Sequence, residues 1–213
     1  MRNRKRIARN VMLGAVTGIF ALSAQGPQPT CNQCPATYIS SDEVQAYLKR
    51  AQDNGLVDQQ SRAVNIGKVN IGIGVVYRGK LTAPQPDSVA EHDLVSEVYH
   101  IIDGSATLVT GPDIADLKRR PADLQTVREF NGPGNSGSSI RNPVTHELKA
   151  GDVIVIPAGT GHWFTRIDNH IRYIMVRIDP DKVLPLKDEA ASKAYLSSAP
   201  AARGGGKGKG KNQ

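Results

Sequence analysis

Apolar positions change their spacing along this chain. Between positions 40 and 52, Val44, Tyr47 and Leu48 fall on one helical face. The preceding Ser40-Ser41-Asp42-Glu43 has the form of a capping box, in which a serine accepts from the backbone and a glutamate reaches back. A short helix is predicted through about Gln52, enough to dock on a larger body but not to make a domain. From Arg62 the period becomes two. Val64 and Ile66 alternate, and Val69, Ile71, Ile73, Val75 and Tyr77 line one face of a strand. Gly67 breaks the parity between these runs and predicts a bulge or bend.

Further strands are predicted at 98–102, 106–110, 126–130, 147–148, 153–156, 162–166 and 171–178. Turn formers separate them: Asp103-Gly104, Gly111-Pro112, the cluster from Asn131 to Ser139, Ala150-Gly151-Asp152 and Asp168-Asn169. A second short helix is predicted at 188–196. Many short strands with frequent turns indicate an all-β sandwich or barrel. The sequence shows no repeat of domain size, so one barrel is expected, flanked by a short helix at each end. The region between Gly104 and Gly151 is insertion-like; it either shapes the barrel mouth or forms an exposed edge hairpin.

Charge changes this picture at the ends only. Of 27 Lys and Arg residues, five lie in the first ten positions and four in the last eleven; the remaining 18 face 20 Asp and Glu. The body therefore lacks the cationic excess that a nucleic-acid groove needs. Arg2 to Arg9, an apolar run from Val11 to Ala24 and small residues thereafter have the three parts of a secretory signal. A membrane span needs roughly twenty apolar residues. The expectation is an export signal at 1–24 and a periplasmic or secreted protein with no stable membrane span, an uncleaved anchor being the alternative. A linker at 25–39, a folded domain at 40–198 and a disordered Gly/Lys-rich tail at 199–213 complete the division. Cys31 and Cys34 sit in the linker and suit a local disulfide or free thiols without catalysis.

Candidate chemistry lies in two separated stretches. The first holds His92, Glu97 and, seven positions later, Gly104; the second holds Gly151, Pro157, Gly159 and His162. They resemble the two signature motifs of the cupin superfamily. The first motif carries two histidines, a glutamate and a glycine; the second carries a glycine, a proline, a glycine, a histidine and an asparagine. Ala90 stands where the first histidine would be, and Arg166 where the asparagine would be. The resemblance spans roughly residues 60 to 180. It implies a single cupin β-barrel, the double-stranded β-helix or jelly roll.

It also implies a metal site of His92, Glu97 and His162. Two imidazoles and a carboxylate on rigid strands suit divalent iron, manganese, zinc or nickel, with open positions for water, dioxygen or a chelating substrate. Strand alternation turns His100 away from Glu97 and brings Tyr99 to its side, which makes Tyr99 and Glu97 the candidates for proton handling. Phe164 and Arg166 share parity with His162, and Tyr173 approaches from the following strand; all three are pocket candidates, an inward Arg166 favouring an anionic ligand. Trp163 belongs to an outer layer or a partner subunit; His146, His170 and Glu91 are weaker candidates. The expected function is an exported cupin acting on a small oxygenated molecule by oxygenase, lyase or isomerase chemistry. The alternative is a metal-free small-molecule-binding barrel, and a homodimer is compatible with either. A third, weaker idea is a cell-envelope scaffold that dimerises through the barrel and touches anionic polymers with its basic tail.

Overall fold

The computed structural model describes residues 26 and 28–198; the expected export segment and the basic tail lie outside the described residues. Ser40 caps helix α1 (Ser41–Asn54), accepting from Glu43 N at 3.1 Å. Only half of the capping box forms, because the Glu43 carboxylate turns to Arg62 instead. Strands β1 (Asp58–Asn65) and β2 (Asn70–Leu81) form a hairpin. Gly67 lies in its turn at φ 99°, the bend expected there, and a separate bulge falls at Ser61, between the Gln60 and Arg62 pairings.

Strands β3 (Val89–His92) and β4 (Ser96–Gly111) follow, then short pieces β5 (Ile114–Ala115) and β6 (Lys118–Arg119). After these come β7 (Gly134–Gly137), β8 (Ser139–Ile140), β9 (Val144–Lys149), β10 (Val153–Ile156) and β11 (Gly161–Asp179). Helix α2 (Glu189–Ser197) forms where a second short helix is expected, and Asp188 caps it. Among the described residues no helix is long and apolar enough to cross a membrane. Cys31 and Cys34 form a disulfide in the irregular segment before α1.

Strands β4 and β11 organise the molecule. Paired antiparallel, they run through two halves that share them. Where they begin and end respectively, β2 with β1 lies beside β11 and β10 beside β4. Beyond the bend, β3 with β7 and β6 lies beside β11, and β9 beside β4. The sequence marked Asp103-Gly104 and Asp168-Asn169 as turns between separate strands. Instead each is a bend within one strand, the two set against each other where the pairing skips from Ile167 to Ile171. Gly104 has φ 80°, and a Cβ there would collide with the His170 carbonyl. Glycine therefore permits the bend at the closest approach of the two strands.

The inner faces of both halves meet in one core that includes Val76, Tyr99, Ile101, Leu108, Ile156, Phe164, Ile171 and Tyr173. The apolar stripe of β2 is the outer face: Val75 and Tyr77 pack under Tyr47, Leu48, Tyr195 and Leu196 of the two helices. Trp163 likewise packs outside, with Val89, Val109 and Ile140. The strand expected at 126–130 is a π-helical turn, Val127–Asn131. Leu124 O accepts from Val127 N and Arg128 N, so the backbone groups a ladder would need are spent locally. The inserted region adds β7 and β6 to the edge of β3 and sends Asn131 to Arg177, so it is at once edge and wall.

Candidate metal centre

The two motif stretches are tied together before any side chain is considered. Gly159 N donates to His92 O at 2.8 Å, and Ala158 N to Ser96 Oγ at 3.0 Å. The loop ahead of β11 is thus clamped across the β3–β4 connection, and His162 enters β11 opposite Ala90 of β3. His92 closes β3, and Glu97 and Tyr99 point inward from the first turns of β4 by alternation.

The triad is buried, with Glu97 2% exposed. His92 Nε2 stands 3.5 Å from Glu97 Oε1, and His162 Nε2 3.5 Å from Glu97 Oε2. One ligand atom from each residue lies within 4.8 Å of the others. Ala90 presents only a methyl group on the strand position facing His162, so no fourth ligand comes from it. His162 Nδ1 faces the Thr160 carbonyl at 3.2 Å, the kind of outer partner that orients a ligating imidazole. His92 Nδ1 is buried with no hydrogen-bond partner among the described residues.

Protonation states favour a cation. Burial pushes His92 down to about 3, against the pull of Glu97. Burial lowers His162 as well, so both imidazoles are neutral at pH 7. Burial works against the charge of Glu97, but the two imidazoles, Arg177 and the Tyr99 phenol together hold its carboxyl below the usual range. Neutral imidazoles and an ionised carboxylate are what a divalent ion requires of its ligands, so the residues present fit such an ion.

Tyr99 donates its phenol proton to Glu97 Oε2 at 2.7 Å. Burial, then the neighbouring carboxylate, raises its pKa well above that of an ordinary phenol, so it remains protonated. Tyr99 and Tyr173 pack with ring centroids 4.5 Å apart, and Phe164 lies 6.0 Å from Tyr173. The structure thus brings Tyr99 and Phe164 to the triad, where parity places them, and Tyr173 beside them from the later part of β11.

Arg166 is a correction. A bulge between the Phe164 and Arg166 pairings shifts the alternation by one, so Ile167 turns inward and Arg166 outward. Its side chain is 67% exposed and pairs with Asp168 at 2.6 Å. His100 is exposed on the outer face, as expected. His146 contacts Thr110 Oγ1 and His170 contacts Asp103, both away from the triad. Glu91 is buried out of phase with His92 and accepts from Asn135 Nδ2 at 2.6 Å.

Three arginines escaped the sequence reading. Arg177 is fully buried, with Nε 3.7 Å from Glu97 Oε1, Nη1 on Gln60 Oε1 at 2.5 Å and Nη2 on Asp58 and Asn131. Gly74 makes room for it: a Cβ there would lie 2.9 Å from Arg177 Nη1. The alternation along β11 that buries Tyr173 and Met175 also buries Arg177, four residues beyond Tyr173. Arg78 shares the inner face of β2 with Val76, and Arg120 follows β6; the sequence gives no comparable sign of Arg120. A cavity of about 690 Å³ lies away from the triad, beside α1, β1 and α2, lined by Leu56, Gln60, Phe130, Lys187 and Tyr195.

No family model matches the chain, and no curated protein matches it significantly. Its structural neighbours include cupin and double-stranded β-helix proteins. A Bacillus halodurans protein, BH2720, is 14% identical with a TM-score of 0.41, over 77% of this chain and 98% of that one. An RmlC-like cupin family protein with a double-stranded β-helix fold from Methanocaldococcus jannaschii is 15% identical with a TM-score of 0.33, over 60% and 85%. The DMSP lyase DddQ from Ruegeria pomeroyi is 17% identical with a TM-score of 0.29, over 50% of this chain but only 37% of that protein's length.

Proposed function

We propose that this protein is an exported, single-domain cupin that binds one divalent metal ion through His92, Glu97 and His162. Iron, manganese, zinc and nickel all suit the donor set. A bound ion would supply Lewis acidity, or a docking point for dioxygen, to a small oxygenated molecule. The chain's own residues orient Glu97 through the Tyr99 phenol and exclude water with Phe164 and Tyr173. The observation that carries this reading is three buried donors within 4.8 Å of one another, already in the protonation states of ligands.

A second reading has its own support. Glu97 accepts from Tyr99 and faces Arg177, so its charge is partly countered without metal. A metal-free barrel that binds a small molecule at this polar cluster is the alternative. Elemental analysis of protein purified without added metal decides between them. Near-stoichiometric metal that disappears in His162→Ala is expected; a site that is empty and rejects all four added ions leaves only the second reading.

A further inference from the structure

The surroundings of the triad carry more positive charge than a metal centre alone needs. Arg177 is committed, its Nη atoms shared among Gln60, Asp58 and Asn131. Arg78 and Arg120 are not. Arg78 lays its guanidinium over the Phe164 ring, with Cζ 4.7 Å from the centroid, and donates Nε–H to Tyr173 OH at 3.1 Å. Its two Nη groups make no hydrogen bond among the described residues. Arg120 has its backbone N–H on the Gly134 carbonyl, and its half-buried guanidinium makes no hydrogen bond or ion pair among the described residues.

Tyr173 and Phe164, which hold Arg78, pack against Tyr99, the donor to Glu97, and Arg120 is anchored on Gly134, the register partner of His92; the charge of both is felt at His162. They reach the triad from different elements, one from β2 and one from the inserted region beyond β6. Both guanidinium groups are half-buried with their Nη edges left to solvent or a ligand, and a ligand that meets them recovers part of the cost of their desolvation. The planar fork fits a carboxylate through two parallel hydrogen bonds. The interior acids do not fill the role. Asp58 is bound to Arg177, Glu91 to Asn135, and Glu97 belongs to the triad. Asp58, Glu91 and Glu97 balance Arg78, Arg120 and Arg177 in number, so seating a divalent ion leaves two positive charges over.

We propose that the molecule received at this site is a small carboxylate or dicarboxylate, gripped by Arg78 and Arg120 beside the metal position. This rests on reading the triad as a metal centre. Arg166 is thereby replaced as the anion contact, since its bulge sends it to the surface.

The test uses the full chain loaded with cobalt(II), its cobalt content measured first. It is titrated calorimetrically with malonate and, separately, with imidazole, a neutral ligand for the same ion. Arg78→Gln and Arg120→Gln are each expected to weaken malonate about tenfold, the worth of a charge-assisted hydrogen bond. Imidazole affinity and cobalt content should stay as in the parent. Arg78→Lys, which keeps the charge but loses the fork, should fall between parent and Arg78→Gln. Unchanged malonate affinity in both glutamine variants overturns the proposal. So does equal weakening of malonate and imidazole, which would make the arginines supports of the barrel. If no cobalt binds, the metal reading fails by itself. Malonate titration of the metal-free protein then judges the arginines: arginine-dependent binding upholds the carboxylate site, and its absence overturns it.

Discussion

Two inward-turned glutamates in this protein are treated in opposite ways. Glu43, on α1, receives Arg62 Nη1 at 2.6 Å, Arg62 Nη2 at 3.0 Å and Ser192 Oγ at 2.8 Å. Every charge-bearing oxygen is met at hydrogen-bond distance, and the result is a clasp joining α1, β1 and α2. Glu97 has one such bond, from Tyr99. Its other neighbours, His92, His162 and Arg177, stop at 3.5, 3.5 and 3.7 Å. A buried carboxylate whose partners stand off is costly unless something comes between them. The clasp is a saturated cluster that holds elements together. The triad is an unsaturated one, and that is what distinguishes a binding site from a structural ion pair of similar composition.

Acid should separate the two regions most strongly. In the folded metal-free protein His92 is held neutral down to about pH 3, whereas an unfolded imidazole takes up its proton near 6.5. Between those values the unfolded chain binds more protons, so stability falls as pH falls through the window. The slope approaches ~1.4 kcal/mol per pH unit. His162, lowered in the same sense, adds to it. The clasp holds no histidine, and Glu43, itself held below its usual value, responds only in the carboxylate range. Urea unfolding at intervals from pH 7 to 4.5 should show the loss in the parent, a shallower loss in His92→Asn and no change of slope in Glu43→Gln. A parent whose stability is flat over that interval would rule out neutral buried imidazoles.

Breaking the clasp comes next in size. Arg62→Ala leaves Glu43 largely buried without its bidentate partner, and loss of one member of such a pair costs about 3 kcal/mol. Urea unfolding at pH 7 should show that loss while metal content per chain stays at the parent level. If metal falls in step with stability, the two regions are one cooperative unit and the contrast between them is only geometric.

The same contrast explains what could be read in the sequence. The triad was legible because its spacing records strand alternation on either side of a tight connection, and that alternation holds at His92, Glu97, Tyr99, His162, Phe164 and Tyr173. It failed at Arg166, one bulge beyond Phe164, because a bulge leaves no reliable mark in residue type and reverses the assignments that follow it. The second irregularity, at Ile167 to Ile171, leaves the shifted phase unchanged, so Ile167, Ile171, Tyr173 and Arg177 all face inward; Tyr173 was placed correctly because its strand was read separately, and Arg177 was available to the same argument. Asp103-Gly104 and Asp168-Asn169 look like turns because a bend and a turn demand the same backbone freedom. Only the partner strand tells them apart. Arg78 was hidden for another reason: β2 carries its apolar stripe toward the helices, so its inner face looks polar and glycine-rich, like a solvent face.

The finest comparison removes one hydroxyl from each carboxylate. Ser192→Ala takes a 2.8 Å donor from Glu43, and Tyr99→Phe takes a 2.7 Å donor from Glu97. A hydrogen bond to a charged group contributes about 1.5–3 kcal/mol, so Ser192→Ala should lower stability toward the lower end of that range, with Arg62 still in place. Metal affinity should not move. Tyr99→Phe should do the reverse. With an ion seated, the charge of Glu97 is met by the metal, and the phenol acts by orienting the ligand oxygen; removing such an outer partner costs roughly tenfold in affinity. Stability of the loaded protein should change little, because Phe retains the packing against Tyr173 and Phe164. Competition with a chromophoric chelator measures the first quantity and urea unfolding of the loaded protein the second. Should Tyr99→Phe destabilise the protein as Ser192→Ala does while leaving metal affinity unchanged, Glu97 would belong with Glu43 as a structural acid.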